Sequence, residues 1–297
     1  MDKTADIKFK IDELEENNIE QLYEKAGFEF LNCVPDNKLN EYAEEMLKYL
    51  SVEQLISMLF YAAQKEEIVD YGKLAEKVSK LKMFQSKPRE IKTIATFYFR
   101  MFNGGAEKVI SLLTDIWVKQ GYNVVLFTDK EASSDDYHIN SKVTRIILPE
   151  AVWQDFKSVE KRCSVLIENL KKYNVDTLIY HAWNHYGMIC DAMACKSLGV
   201  SFLVHTHGSF CTDTLSEIPW CAYESTLMHK VYLIADLIIA LNKSDCAYWK
   251  SFGLNCTHTI NPVPEEIKNA KTSKLNRKNI IMVCRISPEK QVLDGIK

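Results

Sequence analysis

No stretch of this 297-residue chain is long and apolar enough to cross a bilayer. The strongest apolar run, Val231 to Leu241, falls well short of the roughly 20 residues a spanning helix needs, and Asp236 interrupts it. The opening segment, Met1 to Lys10, carries Asp2, Lys3, Asp6 and Lys8, so it has no signal-peptide apolar core. An excess of one charge is missing too. Lys and Arg number 37 and Asp and Glu 40, for a net charge of −3. That balance argues against a protein held on nucleic acid chiefly by phosphate charge, and no nucleic-acid partner is expected. The nine cysteines include no C-x-x-C pair, which points to reduced thiols and a cytoplasmic setting. The sequence has no G-x-G-x-x-G fingerprint, no Asp-x-Asp triplet, no internal repeat and no low-complexity tract.

The composition is that of an ordinary globular protein, with 47% hydrophobic and 26% charged residues in a chain long enough for about two domains. Residues 1–88 hold two Gly (Gly27, Gly72) and two Pro (Pro35, Pro88) among dense Glu and Lys. Ala43, Met46, Leu47 and Leu50 recur at helical spacing, and Ser51 with Gln54 forms a capping box ahead of the stripe Leu55, Ile56, Leu59, Phe60 and Ala63. A third helix is expected over Ile68 to Met83. These residues read as a small helical region that ends at Pro88.

From Ile91 onward, short apolar runs alternate with helical patterns. Strands are expected over Ile91–Phe99, Val124–Thr128, Val143–Leu148, Val175–Tyr180, Val200–Thr206, Leu237–Leu241 and Thr257–Asn261. Helices are expected over Gly104–Lys119, Val152–Tyr173, Tyr186–Leu198, Ala222–Ala235 and Lys243–Phe252. Nearly all-apolar strands between helices predict a doubly wound α/β domain with a parallel sheet, spanning residues 89–261. Pro262-Val263-Pro264 then makes a stiff connector. Asn279–Cys284 reads as the first strand of a second, truncated unit within 262–297.

Ligands of such sheets bind beyond the carboxyl ends of the strands, so the loops there carry the candidates. Asn103-Gly104-Gly105-Ala106-Glu107 follows the first strand. Its glycines admit a close ligand, and the next helix aims its N-terminal N–H groups at the same place, which suits a phosphate. A tight turn without a ligand is the competing reading. Arg285 and Lys290, five apart after the last strand, can converge on one diphosphate; two surface cations are the alternative. His181, Trp183 and His185 close one strand, and His205 and His207 another. These groups can hydrogen-bond a hydroxylated substrate or assist proton transfer. Zinc, with Cys211 nearby, fits no standard ligand spacing. Trp183, Trp220, Tyr223 and Trp249 suit a sugar platform or, by default, the core. Asn242 reads as a helix N-cap.

Taken in order, Asn103-Gly104-Gly105-Ala106-Glu107, Gly121-Tyr122-Asn123-Val124-Val125, His205-Thr206-His207-Gly208, Ala235 to Asn242, Asn261-Pro262-Val263 and Arg285 to Lys290 resemble a family-four glycosyltransferase of the GT-B type. The resemblance covers Ile91 to the end. It implies two Rossmann-like domains, with residues 89–261 as the acceptor half and 262–297 as the start of the donor half. It implies transfer from a nucleotide sugar to a glycan or lipid-linked acceptor, with retention and without a metal. Carried over by position, Gly104, Gly105, Arg285 and Lys290 hold the donor diphosphate, and His207, with His205, stands by the reacting sugar. His181, Trp183 and His185 are acceptor-side candidates. Peripheral membrane contact and oligomeric state are left open. The family's Glu-x7-Glu motif is not reached by Lys297, so low activity of this chain alone, or a non-catalytic binding role, is the alternative expectation. A zinc hydrolase built on the histidines is a third.

Overall fold

Seven short runs of apolar residues pair into one parallel sheet in a computed structural model of the chain. The structure describes residues 19–65, 71–102, 104–152, 154–181, 187–208 and 229–268, with a few positions between 270 and 292. The strands are β1 (Thr93–Phe97), β2 (Asn123–Thr128), β3 (Thr144–Ile147), β4 (Thr177–Tyr180), β5 (Ser201–His205), β6 (Leu237–Ala240) and β7 (Cys256–His258). Their order is β3-β2-β1-β4-β5-β6-β7 and every pairing is parallel. The direction of winding reverses between β1 and β4. Loops leaving neighbouring strands diverge there and open a crevice at the carboxyl edge.

Helix α5 (Gly105–Lys119) joins β1 to β2, α6 (Phe156–Lys172) joins β3 to β4, and α7 (Met188–Ser197) and α8 (Lys243–Ser251) follow β4 and β6. Alternation along the central strands divides the two faces. Ala95, Phe97, Leu178, Tyr180, Phe202 and Val204 are buried in the large core with α6 and α7. Met101, Ile110 and Leu126 form a small cluster with α5. Gly121 ends α5 with φ 92°, its N–H bonding Val118 O while Tyr122 N–H bonds Trp117 O. That is a Schellman closure, which glycine enters without a Cβ penalty.

Upstream lie α1 (Ile19–Asn32), α2 (Leu39–Met46), α3 (Val52–Lys65) and α4 (Tyr71–Val78). The Ser51–Gln54 capping box is formed in both directions, at 2.9 and 3.2 Å. The third expected helix is shorter than its pattern: α4 stops at Val78, and Lys82–Phe84 makes a separate 3-10 turn. Helix α6 starts at Phe156 rather than Val152. Asp155 takes extended backbone and its carboxylate accepts the N–H groups of Lys157 and Ser158, while Gln154 sits at φ 55°. Half of the helix expected over Ala222–Ala235 lies outside the described residues; the other half is helical from His229 and closes in a 3-10 turn over Tyr232–Ile234. Most of the strand expected at Asn279–Cys284 also lies outside them. Of that last stretch only Ile281 and Met282 are described, and both are exposed and outside the sheet.

Candidate active site

The carboxyl edge of β4 and β5 brings three imidazoles together. Tyr180 pairs with Val204 across β4 and β5, so the residues that follow, His181 and His205, come level. His207 lies two residues beyond His205, just past the Thr206 N–H bond to Ile239 O, and its ring meets the same cluster. The ring centroids are 5.1 Å (His181–His205), 5.0 Å (His181–His207) and 4.5 Å (His205–His207) apart. His181 Nδ1 and His207 Nε2 share a hydrogen bond of 2.7 Å. The main chain fixes the two strand ends: His181 N–H donates to Phe97 O and Thr206 N–H to Ile239 O.

All three rings are neutral at physiological pH. Burial lowers His207 to about 3, with the neighbouring His205 adding to it, and lowers His205 to about 4. His181 is held well below its ordinary value by burial and by the two other histidines. A neutral imidazole with so low a pKa is a poor proton acceptor but a serviceable hydrogen-bond partner. The chemistry these groups offer is therefore positioning of hydroxyls rather than proton abstraction.

The loop leaving β1 supplies the second half of the site. Gly104 is the N-cap of α5 and Gly105 its first helical residue. The two glycines have different surroundings. A Cβ on Gly104 would meet Glu107 Oε2 at 1.9 Å, whereas a Cβ on Gly105 would meet nothing within 4 Å. Glu107, buried in the first turn of α5, lies 3.5 Å from Arg100 Nε. The Arg100 guanidinium also covers the rings of Phe102 and Phe99 at 4.7 and 5.1 Å. The acidic side chain thus shares the α5 N-terminus with a cation held three residues past β1. Sequence reasoning passed over Arg100; its place just beyond a strand end was the signal.

The remaining candidates separate. Trp183, His185, Trp220, Tyr223, Cys211, Arg285 and Lys290 lie outside the described residues. Trp249 is in the core, 5.0 Å from the rings of both Tyr232 and Tyr248. Asn242 caps α8, its Oδ1 accepting from Asp245 N–H at 2.8 Å.

The sequence profile of Glycosyltransferase Family 4 matches residues 103–262, more than half of the chain. The chain belongs to Glycosyltransferase Family 4. The family match runs from the glycine loop through the histidine strand ends to Pro262, so it takes in both halves of the site. No curated protein sequence matches this family-four chain. Among solved structures, it is similar to sucrose-phosphate synthase from Thermosynechococcus elongatus (TM-score 0.46, 13% identity, covering 57% of this chain and 48% of that one). It is also similar to UGT2 of Phytolacca americana complexed with UDP-2fluoro-glucose and pterostilbene (0.38, 12%, 52% and 48%). A third likeness is to a UGT transferase from Siraitia grosvenorii in complex with UDP (0.37, 11%, 57% and 50%). The chain spans about half the length of these structures.

Proposed function

We propose that this chain serves the transfer of a sugar from a nucleotide-sugar donor to a glycan or lipid-linked acceptor, with retention at the anomeric carbon. The observation that carries the reading is the placement of a glycine-lined helix start after β1 and three neutral imidazoles after β4 and β5 on one edge of the sheet, beside its switch point. Membership of the family supports it. In the reaction the acceptor oxygen bonds the anomeric carbon, the bond from that carbon to the diphosphate oxygen breaks, and the acceptor proton leaves with the diphosphate. Negative charge builds on the departing oxygen. The α5 N-terminus at Gly104 and Gly105, with Arg285 and Lys290, stabilises that charge more in the transition state than in the ground state. His207 and His205 hold sugar hydroxyls as neutral partners, with His181, Trp183 and His185 on the acceptor side. The transfer uses no metal.

Two features bear on the setting. No helix among the described residues is long and apolar enough to cross a membrane, and the six described cysteines carry no disulfide. We place the protein in the cytoplasm, with any contact to a lipid-linked acceptor made from the membrane surface.

Calorimetric titration of the chain with a panel of nucleotide diphosphates and nucleotide sugars, followed by product analysis with candidate acceptors, tests the reading. Saturable binding is expected, with Arg285→Ala or Lys290→Ala weakening it at least tenfold, equivalent to about 1.4 kcal/mol. For a catalytically competent form of the protein, His207→Ala is expected to lower turnover by roughly a hundredfold or more. Binding indifferent to both cation replacements, together with turnover indifferent to His207, would sink it. Diphosphate binding without turnover would instead favour the binding-module alternative.

A further inference from the structure

We infer that His181, His205 and His207 together form a binding site for a divalent transition-metal ion of the zinc class, held by three imidazoles with one coordination position left open. One ring nitrogen of each residue lies within 4.8 Å of one from each of the others. His181 and His205 are almost fully buried, at 1% and 3% exposure. Nε2 of both, and Nδ1 of His207, are buried without a hydrogen-bond partner among the described residues. Buried polar atoms normally find partners; here His205 Nε2 is available to an ion, and His181 Nε2 or His207 Nδ1 can take up the proton that the other two rings share.

The donor set selects the ion. Three imidazoles without a carboxylate suit zinc, cobalt, nickel or copper and disfavour magnesium and calcium, which prefer oxygen. Three protein nitrogens plus an open position is the arrangement of a zinc ion able to take water or a substrate oxygen. The geometry needs one adjustment. Bonds of about 2.0–2.1 Å in a tetrahedral shell set ligand nitrogens roughly 3.4 Å apart. His181 Nδ1 and His207 Nε2, now 2.7 Å apart, must therefore separate by a modest rotation of the rings. The proton they share moves to an unpartnered nitrogen of the same ring, His181 Nε2 or His207 Nδ1, so the tautomer changes and no net proton is released.

Ion binding does not depend on the sugar-transfer reading. Where that reading holds, an ion on these imidazoles competes with the sugar hydroxyls.

The chain, freed of metal with a chelator, is titrated with cobalt(II). Saturable absorption of a four-coordinate cobalt ion at one equivalent is expected, displaced by zinc(II) and unaffected by magnesium. His207→Gln and His205→Gln are each expected to weaken cobalt binding by about a hundredfold or more. His258→Gln, on the exposed end of β7, is expected to leave it unchanged. His207 is only partly buried, so its variant is the one to rely on if His205→Gln unfolds, with far-UV circular dichroism as the check. X-ray absorption at the zinc edge of the loaded parent chain should show a shell of three imidazole nitrogens. No saturable cobalt absorption, equal affinity in a folded His207→Gln variant, or a zinc shell dominated by other ligands would overturn the site. Failure of this titration leaves the transfer proposal standing, and failure of transfer leaves the ion site standing.

Discussion

Gly104 and Gly105 are adjacent in sequence but answer to different constraints. Gly104 has no room for a side chain because the Glu107 carboxylate occupies the space. Alanine there must push that carboxylate off Arg100, and a loss of about 1 kcal/mol is expected, because Glu107 is buried but the Arg100 side chain is partly exposed. The loss should shrink in the Gly104→Ala/Glu107→Ala double variant, since the two changes act on one contact. Gly105 faces open space at the first turn of α5, so Gly105→Ala should leave stability unchanged or raise it by roughly 0.5–1 kcal/mol. Urea midpoints separate the two variants. If the loop cradles a diphosphate, Gly105→Ala should still weaken nucleotide binding, which no packing role would explain. Arg162 makes a second residue-level prediction. It is fully buried on α6, bidentate to Asp191 at 2.8 and 2.7 Å, and bonded to Asp129 and Pro149 O at 2.8 and 2.9 Å. Burial opposes its charge, but Asp191 outweighs it and holds the pKa well above the ordinary value. Arg162→Met removes the cation that pairs with the buried Asp191 carboxylate and is expected to cost about 3–5 kcal/mol. A denaturation midpoint within experimental error of the parent would contradict that assignment.

At the level of elements, the loop between β2 and β3 is tied down beside the glycine loop. Phe102 bridges to Asp136, and Arg145 on β3 donates to Asp136, to Thr128 Oγ1 at 3.1 Å and to Lys130 O at 3.0 Å. Burial pushes the Asp136 carboxyl up, but the Arg145 guanidinium prevails and holds it below the usual carboxylate value. A carboxyl lowered on folding stabilises the fold above its unfolded pKa of about 3.9, and that contribution is lost as pH falls through the folded value. Asp136→Asn should therefore cost about 1–2 kcal/mol at pH 7, and the gap to the parent should close in acid as pH falls through the lowered folded value. A gap that persists in acid would mean the loop is held by something other than this pair. The elements themselves were largely legible. Helix α5 lies between Gly105 and Gly121, which mark its ends chemically, and the strands read as apolar runs. The start of α6 was not legible. Val152 fits the apolar period, but the position of the first turn is decided by Asp155 reaching two N–H groups, a local contest that periodicity does not register. The histidine cluster was half legible. Strand ends named the residues, but only the register of β4 on β5 shows that His181 meets His207.

The whole molecule is held by a core that runs from the N-terminal helices into the sheet. The apolar stripe on α3 marks one face for burial, but the helix is buried on every side from Leu55 to Gln64. Residues off the stripe are the ones that meet the α6 layer. Ser57 Oγ–H donates to Phe156 O, Gln154 N–H donates to the Gln64 side chain at 2.8 Å, and the Phe156 ring lies 5.0 Å from Tyr23 and 6.1 Å from Tyr61. Below them, Lys87 N–H and the Arg89 guanidinium both reach Gly199 O, fastening the connection into β1 to the end of α7. With so much apolar surface shared, the chain should unfold in one cooperative step rather than two. Phe156→Ala is expected to cost about 3–5 kcal/mol, because the cavity it leaves is walled by both the helical layer and α6. A chain of residues 89–297 should expose the apolar faces of α6 and α7, bind a hydrophobic dye and lack a cooperative thermal transition. A sharp transition for that shortened chain, with the sheet's circular dichroism intact, would show instead that the N-terminal helices are an accessory layer whose removal the sheet survives.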